Sequence, residues 1–332
     1  MNKQVIRILS IFFLFCLALL PKESLALTVS PVRIEFSGNP GETVSGKVKV
    51  TNSEPKTKTL FTNIYNFEAK DESGNPSFKV VKNDLATWVN IDSQVTLGPN
   101  ESKSLDFTAN IPGNAEPGGY FAAVFFSETP PKIGEGGDVS ISSEVGCLLL
   151  LRVNGDVKEG ADILEFGTKD NSTFFNSLPV GFYFRFQNSG QDRVRPVGDI
   201  VVRNMFGRNT KILSANKNDG NVLPQSIRRF ENVWTGPSGE DPAGKSFFDK
   251  VFYQMKNFAL GRYSVSLNLA YGGNVGLHSA MAKTAVWVLP WQLMLVVIIL
   301  LLILFYSGRY GLRRYNRWII TQARAANSYR RK

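Results

Sequence analysis

Alternation of apolar and polar residues is the feature that most constrains how this chain can fold. One run reads Tyr263, Val265, Leu267, Leu269 and Tyr271 on one parity, against Ser264, Ser266 and Asn268 on the other. A period of two places each set on one face of a strand, which predicts half-buried antiparallel strands. Clusters of turn-forming residues separate several such runs, with the sequences "SGNPGE", "DESGNP", "GPNES" and "NSGQD". Their spacing is typical of a β-sandwich.

Two apolar runs at the ends of the chain interrupt this pattern. Lys3 and Arg7 precede the first run, residues 8–20, and the small residues Ser24 and Ala26 follow it. This layout predicts a secretory signal peptide over residues 1–26. The second run, residues 286–306, is long enough to cross a hydrocarbon layer about 30 Å thick, so we expect a transmembrane helix there.

Residues around the second run predict its direction across the membrane. Aromatic side chains, which prefer the headgroup layer, stand near both ends, and a basic group follows at Arg309, Arg313, Arg314 and Arg317. Residues 307–332 are therefore expected to form a basic cytoplasmic tail. Because the signal peptide sends the mature N-terminus across the membrane, the sequence predicts a single-pass cell-membrane protein with an extracellular N-terminus and a cytoplasmic C-terminus.

The net charge of the chain is concentrated at its ends. Of the total of +10, the segment 307–332 carries +8 and the segment 1–26 carries +2, which leaves the portion between them neutral. A basic chain often binds nucleic acid, but here the basic residues belong to the leader and the tail. The sequence therefore argues against a nucleic-acid partner for the exterior portion.

Three local features occur twice in the same order. A strand ends in Asn-Ser at Asn52 and at Asn188, and a Leu precedes Pro and Ser in "LGPNES" and "LPQS". Gly-x-Tyr then stands before a strand, with its tyrosine at Tyr120 and at Tyr263. This repeat predicts two tandem β-sandwiches, residues 27–155 and 156–285. The second contains an insertion near 245–258, whose apolar residues fit a short helix at Phe248, Val251, Phe252, Met255 and Ala259.

The tyrosines of the repeat suggest the type of sandwich. In immunoglobulin-type sandwiches a Tyr near the start of the penultimate strand packs into a corner and hydrogen-bonds upstream backbone, and Tyr120 and Tyr263 stand where that residue is expected. Gly119 and Gly261 would ease the tight entry to each strand. Ordinary core packing of these rings is the alternative. The predicted fold class is all-β, with two tandem immunoglobulin-like β-sandwiches followed by one transmembrane α-helix.

Residues that support catalysis are scarce. His278 is the single histidine, which argues against nucleophilic triads and His-rich metal sites. Cys147 stands alone once the signal is removed and reads as a buried apolar residue. We predict no catalytic residue, cofactor or metal, although scattered acidic residues leave a carboxylate pair open. Trp88 and Trp234 are candidates for sugar stacking, with structural packing as the more frequent outcome.

Several longer segments resemble a known family. "LTVSPVRIEFSGNPGETVSGKVKVTN", "PGGYFAAVFF", "NSGQDRVRPVGDIVVRNMFGR", "VLPQSIRRF" and "LGRYSVSLNLAYG", followed by an apolar helix and a basic tail, are similar to the bacterial WxL-interacting surface proteins. The same patterns are shared more loosely with pilus-chaperone-type sandwiches. The resemblance implies two immunoglobulin-like domains on one membrane anchor, with cell-wall polymer or surface proteins as partners. It assigns no binding residue to this chain.

Three functions are compatible with these features. The leading hypothesis is a non-enzymatic binding or scaffold protein on the exterior membrane face. One alternative is a chaperone-like module that pairs an edge strand with extracellular subunits, which an edge blocked by Pro31 or lysines would oppose. The other is an exterior hydrolase with two carboxyl groups within about 5 to 10 Å of each other in a cleft.

Overall fold

The computed structural model describes residues 27–79, 83–129, 144–239, 244, 246–272 and 277–329, with side chains described as far as residue 321. The predicted signal peptide, residues 1–26, lies outside the described residues. The chain forms two compact units. Unit 1 contains the described residues of Met1–Glu68 and Pro76–Lys158, and unit 2 contains Ala69–Asn75 and Glu159–Lys332.

Unit 1 is a β-sandwich. Its described strands are β1 (Leu27–Ser30), β2 (Arg33–Gly38), β3 (Thr43–Asn52), β4 (Lys58–Ala69), β5 (Pro76–Lys79), β6 (Val89–Ile91), β7 (Gln94–Leu97), β8 (Ser102–Asn110), β9 (Gly118–Ser127) and β10 (Val145–Val153). A short helix, α1 (Asp84–Trp88), precedes β6. One sheet has the order β1-β3-β8-β6, and the other has the order β2-β10-β9-β4-β5, with β7 also paired to β4.

The core of unit 1 follows from the alternation in its strands. Val48 and Val50 of β3 and Phe107 of β8 are buried on one sheet, and Val124 and Leu149 are buried on the facing sheet. The intervening residues of β3, Lys47 and Lys49 among them, point to solvent. Burial of one parity from each sheet is the arrangement expected for two packed layers.

Unit 2 is a second β-sandwich with two added helices. Its described strands are β11 (Ala161–Thr168), β12 (Phe174–Phe175), β13 (Val180–Asn188), β14 (Val197–Arg203), β15 (Asn209–Ser214), β16 (Ser226–Trp234), β17 (Gly261–Tyr271) and β18 (His278–Val288). Its helices are α2 (Phe247–Lys256) and α3 (Trp291–Tyr329). The sheets have the orders β11-β13-β16 and β12-β18-β17-β14-β15.

Both sandwiches divide their first strand between two sheets. β1 pairs antiparallel with β3, and β2 then pairs parallel with β10, the last strand of unit 1. In unit 2, β11 pairs antiparallel with β13, and β12 pairs parallel with the last strand, β18. The chain is thus mostly β, with two sandwiches made of four sheets and a long apolar C-terminal helix. This confirms the predicted fold class.

Asn52, the last residue of β3, explains the first Asn-Ser of the sequence repeat. Its side chain is fully buried. The Nδ2 group donates to the carbonyls of Lys56 at 2.7 Å and Gly98 at 2.8 Å, and Oδ1 accepts the Glu54 N–H at 3.1 Å. One amide group therefore closes its own turn and holds it to the "LGPNES" turn.

Asn188, the last residue of β13, does the same in unit 2. It is also fully buried, and its Nδ2 donates to the carbonyls of Asp192 at 2.7 Å and Val222 at 2.9 Å. Its Oδ1 accepts the Gly190 N–H at 2.9 Å. In both units the asparagine side chain bonds the carbonyl four residues later and the N–H two residues later. It also bonds a carbonyl of a turn that is distant in sequence. The repeat read from the sequence therefore corresponds to a repeated hydrogen-bond arrangement.

The outer face of β9 is lined with aromatic rings. Phe125 lies 4.9 Å from Phe78 and 6.1 Å from Tyr65, and Phe67 lies 5.8 Å from Phe121, measured between ring centroids. These tilted and edge-to-face contacts favour packing among the rings. Because Phe125, Tyr65 and Phe67 are buried within the single chain, the chain itself shields the second apolar face of this strand.

The C-terminal helix begins later than the sequence suggests. The apolar run from residue 286 divides between two elements, because Val286 and Val288 are buried in β18, whose Trp287 pairs with Arg262 of β17. α3 therefore begins at Trp291 instead of residue 286, and it continues past residue 306 to Tyr329. Trp291–Thr321 is long and apolar enough to cross a membrane. The predicted spanning segment 286–306 must be shifted accordingly.

We expect Asn188→Ala to destabilise unit 2. The substitution removes two donors and one acceptor from a buried site, and each buried group left without a partner costs about 1–3 kcal/mol. Thermal unfolding of the full chain in detergent should show the loss of stability, and hydrogen exchange should be faster in β13. Asn218→Ala, at an exposed position of the same unit, is the matched control. Equal stability of the two variants would contradict the role assigned to Asn188.

Candidate functional site

Tyr120 is the third residue of β9, the penultimate strand of unit 1. Its hydroxyl donates to the carbonyl of Glu116 at 2.9 Å, and its ring lies 4.6 Å from that of Trp88. Burial raises the pKa of this phenol. The positive φ of 150° falls on Gly118, the first residue of β9, instead of the predicted Gly119. These contacts hold a corner of the sandwich together and leave the hydroxyl engaged with backbone.

Tyr263 is the third residue of β17, the penultimate strand of unit 2. Its hydroxyl accepts the Leu260 N–H at 3.1 Å, and its ring lies edge-on to Trp234 at 4.8 Å. Gly261 has a φ of 98°, a left-handed conformation that favours glycine, and the Met205 methyl lies 1.9 Å from where a Cβ would stand. Trp234 is buried, with 2% exposure, and offers no surface for stacking a sugar.

A polar groove of about 470 Å³ lies in unit 2. It is lined by side chains of β16, of the turn after β15 and of the segment Ala69–Asn75, including Glu72, Ser73, Asn216, Lys217, Arg228 and Glu231. Asn216 is held by its own hydrogen bonds to the carbonyls of Pro196 and Gly220. The groove therefore presents charges of both signs, and the turn that carries Asn216 is fixed by hydrogen bonds.

Two arginines of the β11-β13-β16 sheet stand directly opposite each other. Arg185 of β13 and Arg229 of β16 are register partners, and like charges at such positions repel. Glu72 neutralises Arg185 with a two-point contact at 2.8 and 2.5 Å. Glu231 accepts from the Arg229 Nε at 3.2 Å, and the Arg229 guanidinium lies 4.0 Å above the Tyr183 ring. Ion pairs thus stabilise an otherwise repulsive pair.

The two carboxylates of the groove are held in their ionised form. Hydrogen bonding from Arg185 keeps the pKa of Glu72 below its usual value, and hydrogen bonding from Lys169 does the same for the pKa of Glu231. A glycosidase needs one carboxyl group with a raised pKa to act as the general acid. Neither glutamate has that property, so this groove gives the hydrolase alternative no support.

The remaining reactive residue types are engaged elsewhere. Cys147 is buried in β10, and burial raises the pKa of its thiol to about 11, which makes the thiolate scarce at neutral pH. His278 stacks on Tyr271 with ring centroids 5.4 Å apart. Within the described ranges, the His, Cys, Asp and Glu residues form no group able to hold a metal ion.

The edges of the sheets bear on strand pairing. β1, β5, β6 and β12 are edge strands of two to four residues, and Pro31 separates β1 from β2. β11 is longer, but a bulge between Ile163 and Glu165 interrupts its ladder. The edge of β16 carries a hydrogen bond from the Arg229 N–H to the Glu72 carbonyl at 2.7 Å. These short, bulged or occupied edges resist the addition of another strand. β2 and β15 are edge strands as well, and each is six residues long.

Comparisons with known proteins give a distant likeness of fold. No family model matches the chain, and no curated protein matches its sequence. Among solved structures, the class 5 fimbriae chaperone CfaA is 11% identical with a TM-score of 0.37, and the match covers 78% of this chain and 98% of that one. The Pseudomonas aeruginosa CupB2 chaperone is 12% identical with a TM-score of 0.33, covering 76% and 98%.

A third structure, the Salmonella enterica SafA pilin in complex with the SafB chaperone, is 11% identical with a TM-score of 0.35, covering 80% of this chain and 99% of the matched chain. These scores show distant similarity to two-domain sandwiches of the pilus-chaperone kind. They assign no family and carry no argument about function. The resemblance to the WxL-interacting proteins stays a prediction.

We expect Glu72→Gln to loosen unit 2 in a pH-dependent way. Because the folded pKa of Glu72 is lowered, its ion pair stabilises the fold above the unfolded pKa, about 4.3, and this contribution is lost as pH falls through the folded pKa. Hydrogen exchange in β13 and β16 should therefore be faster in the variant at pH 7. The difference from the parent chain should shrink below about pH 4 as Glu72 protonates.

Glu68→Gln is the control for this experiment, because its ion pair with Lys79 joins two exposed side chains. A Glu72→Gln effect that stays constant from pH 7 to pH 3 would contradict the assigned role of the ionised carboxylate.

Proposed function

We propose that this chain is a non-catalytic binding or scaffold protein, anchored in the cell membrane by α3 with both sandwiches outside. The observation that supports it best is the direct passage from β18 into α3. Only Leu289 and Pro290 separate the buried Val288 from Trp291, the first residue of the apolar helix. A linker of two residues leaves a folded domain little freedom to move away from its anchor.

Backbone hydrogen bonds make this link stiffer than its length alone suggests. The Trp291 N–H donates to the Leu289 carbonyl at 2.8 Å, and the Met294 N–H donates to the Pro290 carbonyl at 3.0 Å. The Leu289 N–H donates to the Phe175 carbonyl of β12 at 2.8 Å. Each residue of the link is thereby tied to the sandwich or to the helix, which suits a protein that presents a binding surface at a membrane.

The ligand we propose is cell-wall polymer or another surface protein, as the resemblance to the WxL-interacting proteins implies. The polar groove offers cationic side chains at Lys217 and Arg228 beside amide groups and two ionised glutamates. Ligands with both carboxylates and amines, such as the peptides of wall polymer or a protein loop, would complement this mixture. The edge-strand alternative would have to use β2 or β15, because the long edges β11 and β16 are bulged or occupied.

Binding can be tested with the full chain in detergent micelles. We expect it to retain isolated wall material or extracted surface proteins, and Lys217→Glu combined with Arg228→Glu to weaken retention by reversing the cationic side of the groove. Lys47→Glu, an exposed site on β3 of unit 1, is the matched control. Retention of neither material, or hydrolysis of the wall by the chain, would contradict the proposal. Truncation after residue 285 is unsuitable because it removes the core residues Val286 and Val288.

The proposed topology has its own test. Protease added to intact cells should digest both sandwiches and spare a tag placed after Lys332, because the arginines after Gly308 favour the cytoplasmic side. Permeabilised cells serve as the control, since the tag should then be lost. A tag removed from intact cells, with the sandwiches protected, would reverse the assigned orientation.

A further inference from the structure

Large apolar side chains are exposed around the point where α3 leaves unit 2. We define an apolar collar by six of them, Phe174, Phe206, Phe248, Phe252, Met255 and Phe258, whose exposed fractions run from 58% to 80%. They come from three separate segments: β12, the turn between β14 and β15, and α2 with the residue that follows its C-cap. Exposed apolar surface gathered at one place usually marks an interaction site.

The three segments converge because of strand register. Gly261 and Val288 are partners at one end of the β17–β18 ladder, the end from which the chain continues into α3. Phe174 pairs with Trp287 and stacks on its ring at 6.3 Å. The turn that carries Phe206 reaches the same end, because the methyl group of its neighbour Met205 lies against Gly261. The collar therefore lies at the end of the sandwich from which the apolar helix leaves.

α2 turns its apolar face away from the sandwich. Phe248, Phe252 and Met255 follow one another at steps of four and three residues and form one stripe, which is 67%, 58% and 58% exposed. The opposite face, with Val251 and Gln254, is buried against unit 2. A capping box at Ser246 and Asp249 fixes the start of this helix, so the exposed stripe belongs to a well-formed element.

α2 also crosses the start of α3 at a steep angle. Phe247 and Gln254 are seven residues apart, about 10 Å along the axis of α2. The Phe247 ring lies 6.3 Å from that of Trp291, while Gln254 donates to the Gln292 side chain at 2.5 Å and accepts the Leu293 N–H at 3.0 Å. If the two helices lay side by side, Phe247 and Gln254 would contact residues of α3 that are also about seven positions apart. Here the partners are consecutive, so α2 lies transverse to α3.

The uncharged part of the span is shorter than the hydrocarbon layer, which leaves room for other apolar surface at this level. From Leu293 to Gly308, before the first arginine, α3 has 16 residues, or about 24 Å, against a hydrocarbon layer of about 30 Å. The shortfall is about one helical turn. The α2 part of the collar lies at the level of residues 291–293, where it can meet the outer part of that layer, and Lys256 of α2 can extend toward lipid phosphates.

We propose that the apolar collar is immersed in the outer leaflet, so that α2 is an interfacial helix lying in the membrane plane beside the spanning helix. This inference rests on the proposed membrane anchor. A second copy of the chain or a protein partner is the other kind of occupant such a surface admits. The collar lies at the end of the sandwich where the span starts, and its transverse helix carries Lys256 beside the apolar stripe, which favours the lipid surface.

The test places a nitroxide spin label at Phe252→Cys in the full chain, reconstituted in vesicles of phosphatidylcholine and phosphatidylglycerol. Cys147, which remains once the predicted signal peptide is removed, is buried and will not react. Position 252 is exposed in the fold, so the substitution leaves the core intact. The control label is at Met281→Cys, an exposed site on β18 about 23 Å before Val288.

If the collar is immersed, label 252 will collide several-fold less often with a water-soluble nickel complex than label 281, and more often with oxygen. A label at Phe206→Cys should behave like label 252. If the chain is in the vesicles and label 252 collides with nickel as often as label 281, the proposed immersion of the collar is wrong. The proposed membrane anchor is unaffected by that result. A label shielded from both reagents would mean that protein covers the collar, which also overturns it.

Flotation of the vesicles tests whether the chain is anchored in the membrane at all. A chain that does not float with the vesicles would overturn the proposed anchor, and the collar with it. Flotation is therefore measured first on the parent chain and then on each labelled variant.

Discussion

Pairing of β17 with β18 along eleven residues, from Gly261 and Val288 to Tyr271 and His278, is the interaction on which the rest of unit 2 depends. It positions Tyr263 at its corner and brings Met205 against Gly261. It also fixes the last core residue, Val288, three residues before the first residue of α3. Backbone hydrogen bonds in such a ladder act together with the apolar contacts beneath them, so the place where the helix leaves the sandwich is part of the fold.

Most of the architecture could be predicted from alternation and from the repeat. Asn52 and Asn188 were recognisable as equivalent positions, and their shared contacts give the physical reason, because a buried amide at a strand end must satisfy three hydrogen-bonding groups. The start of the helix was misjudged because Val286 and Val288 are as apolar as the residues of a span. Only the pairing partners in β17 distinguish a core strand from a membrane segment.

The polar groove was beyond sequence reasoning for a different reason. Glu72 is more than a hundred residues from Arg185, and their contact depends on the segment Ala69–Asn75 belonging to unit 2. The apolar collar was hidden as well, because the stripe on α2 follows the same periodicity as a stripe that packs into a core. Helical periodicity gives the face but not its surroundings, and here Gln254 and Val251 take the inner side.

The β17–β18 ladder has a mechanical consequence. The Tyr271 hydroxyl donates to the Ala161 carbonyl at 2.6 Å, so the chain enters unit 2 beside one end of this ladder and leaves for α3 from the other. Tension between a captured ligand and the anchor would pull β18 along its own length. Its hydrogen bonds to β17 would then be loaded in shear, all at once, and would resist far more force than bonds that open in succession.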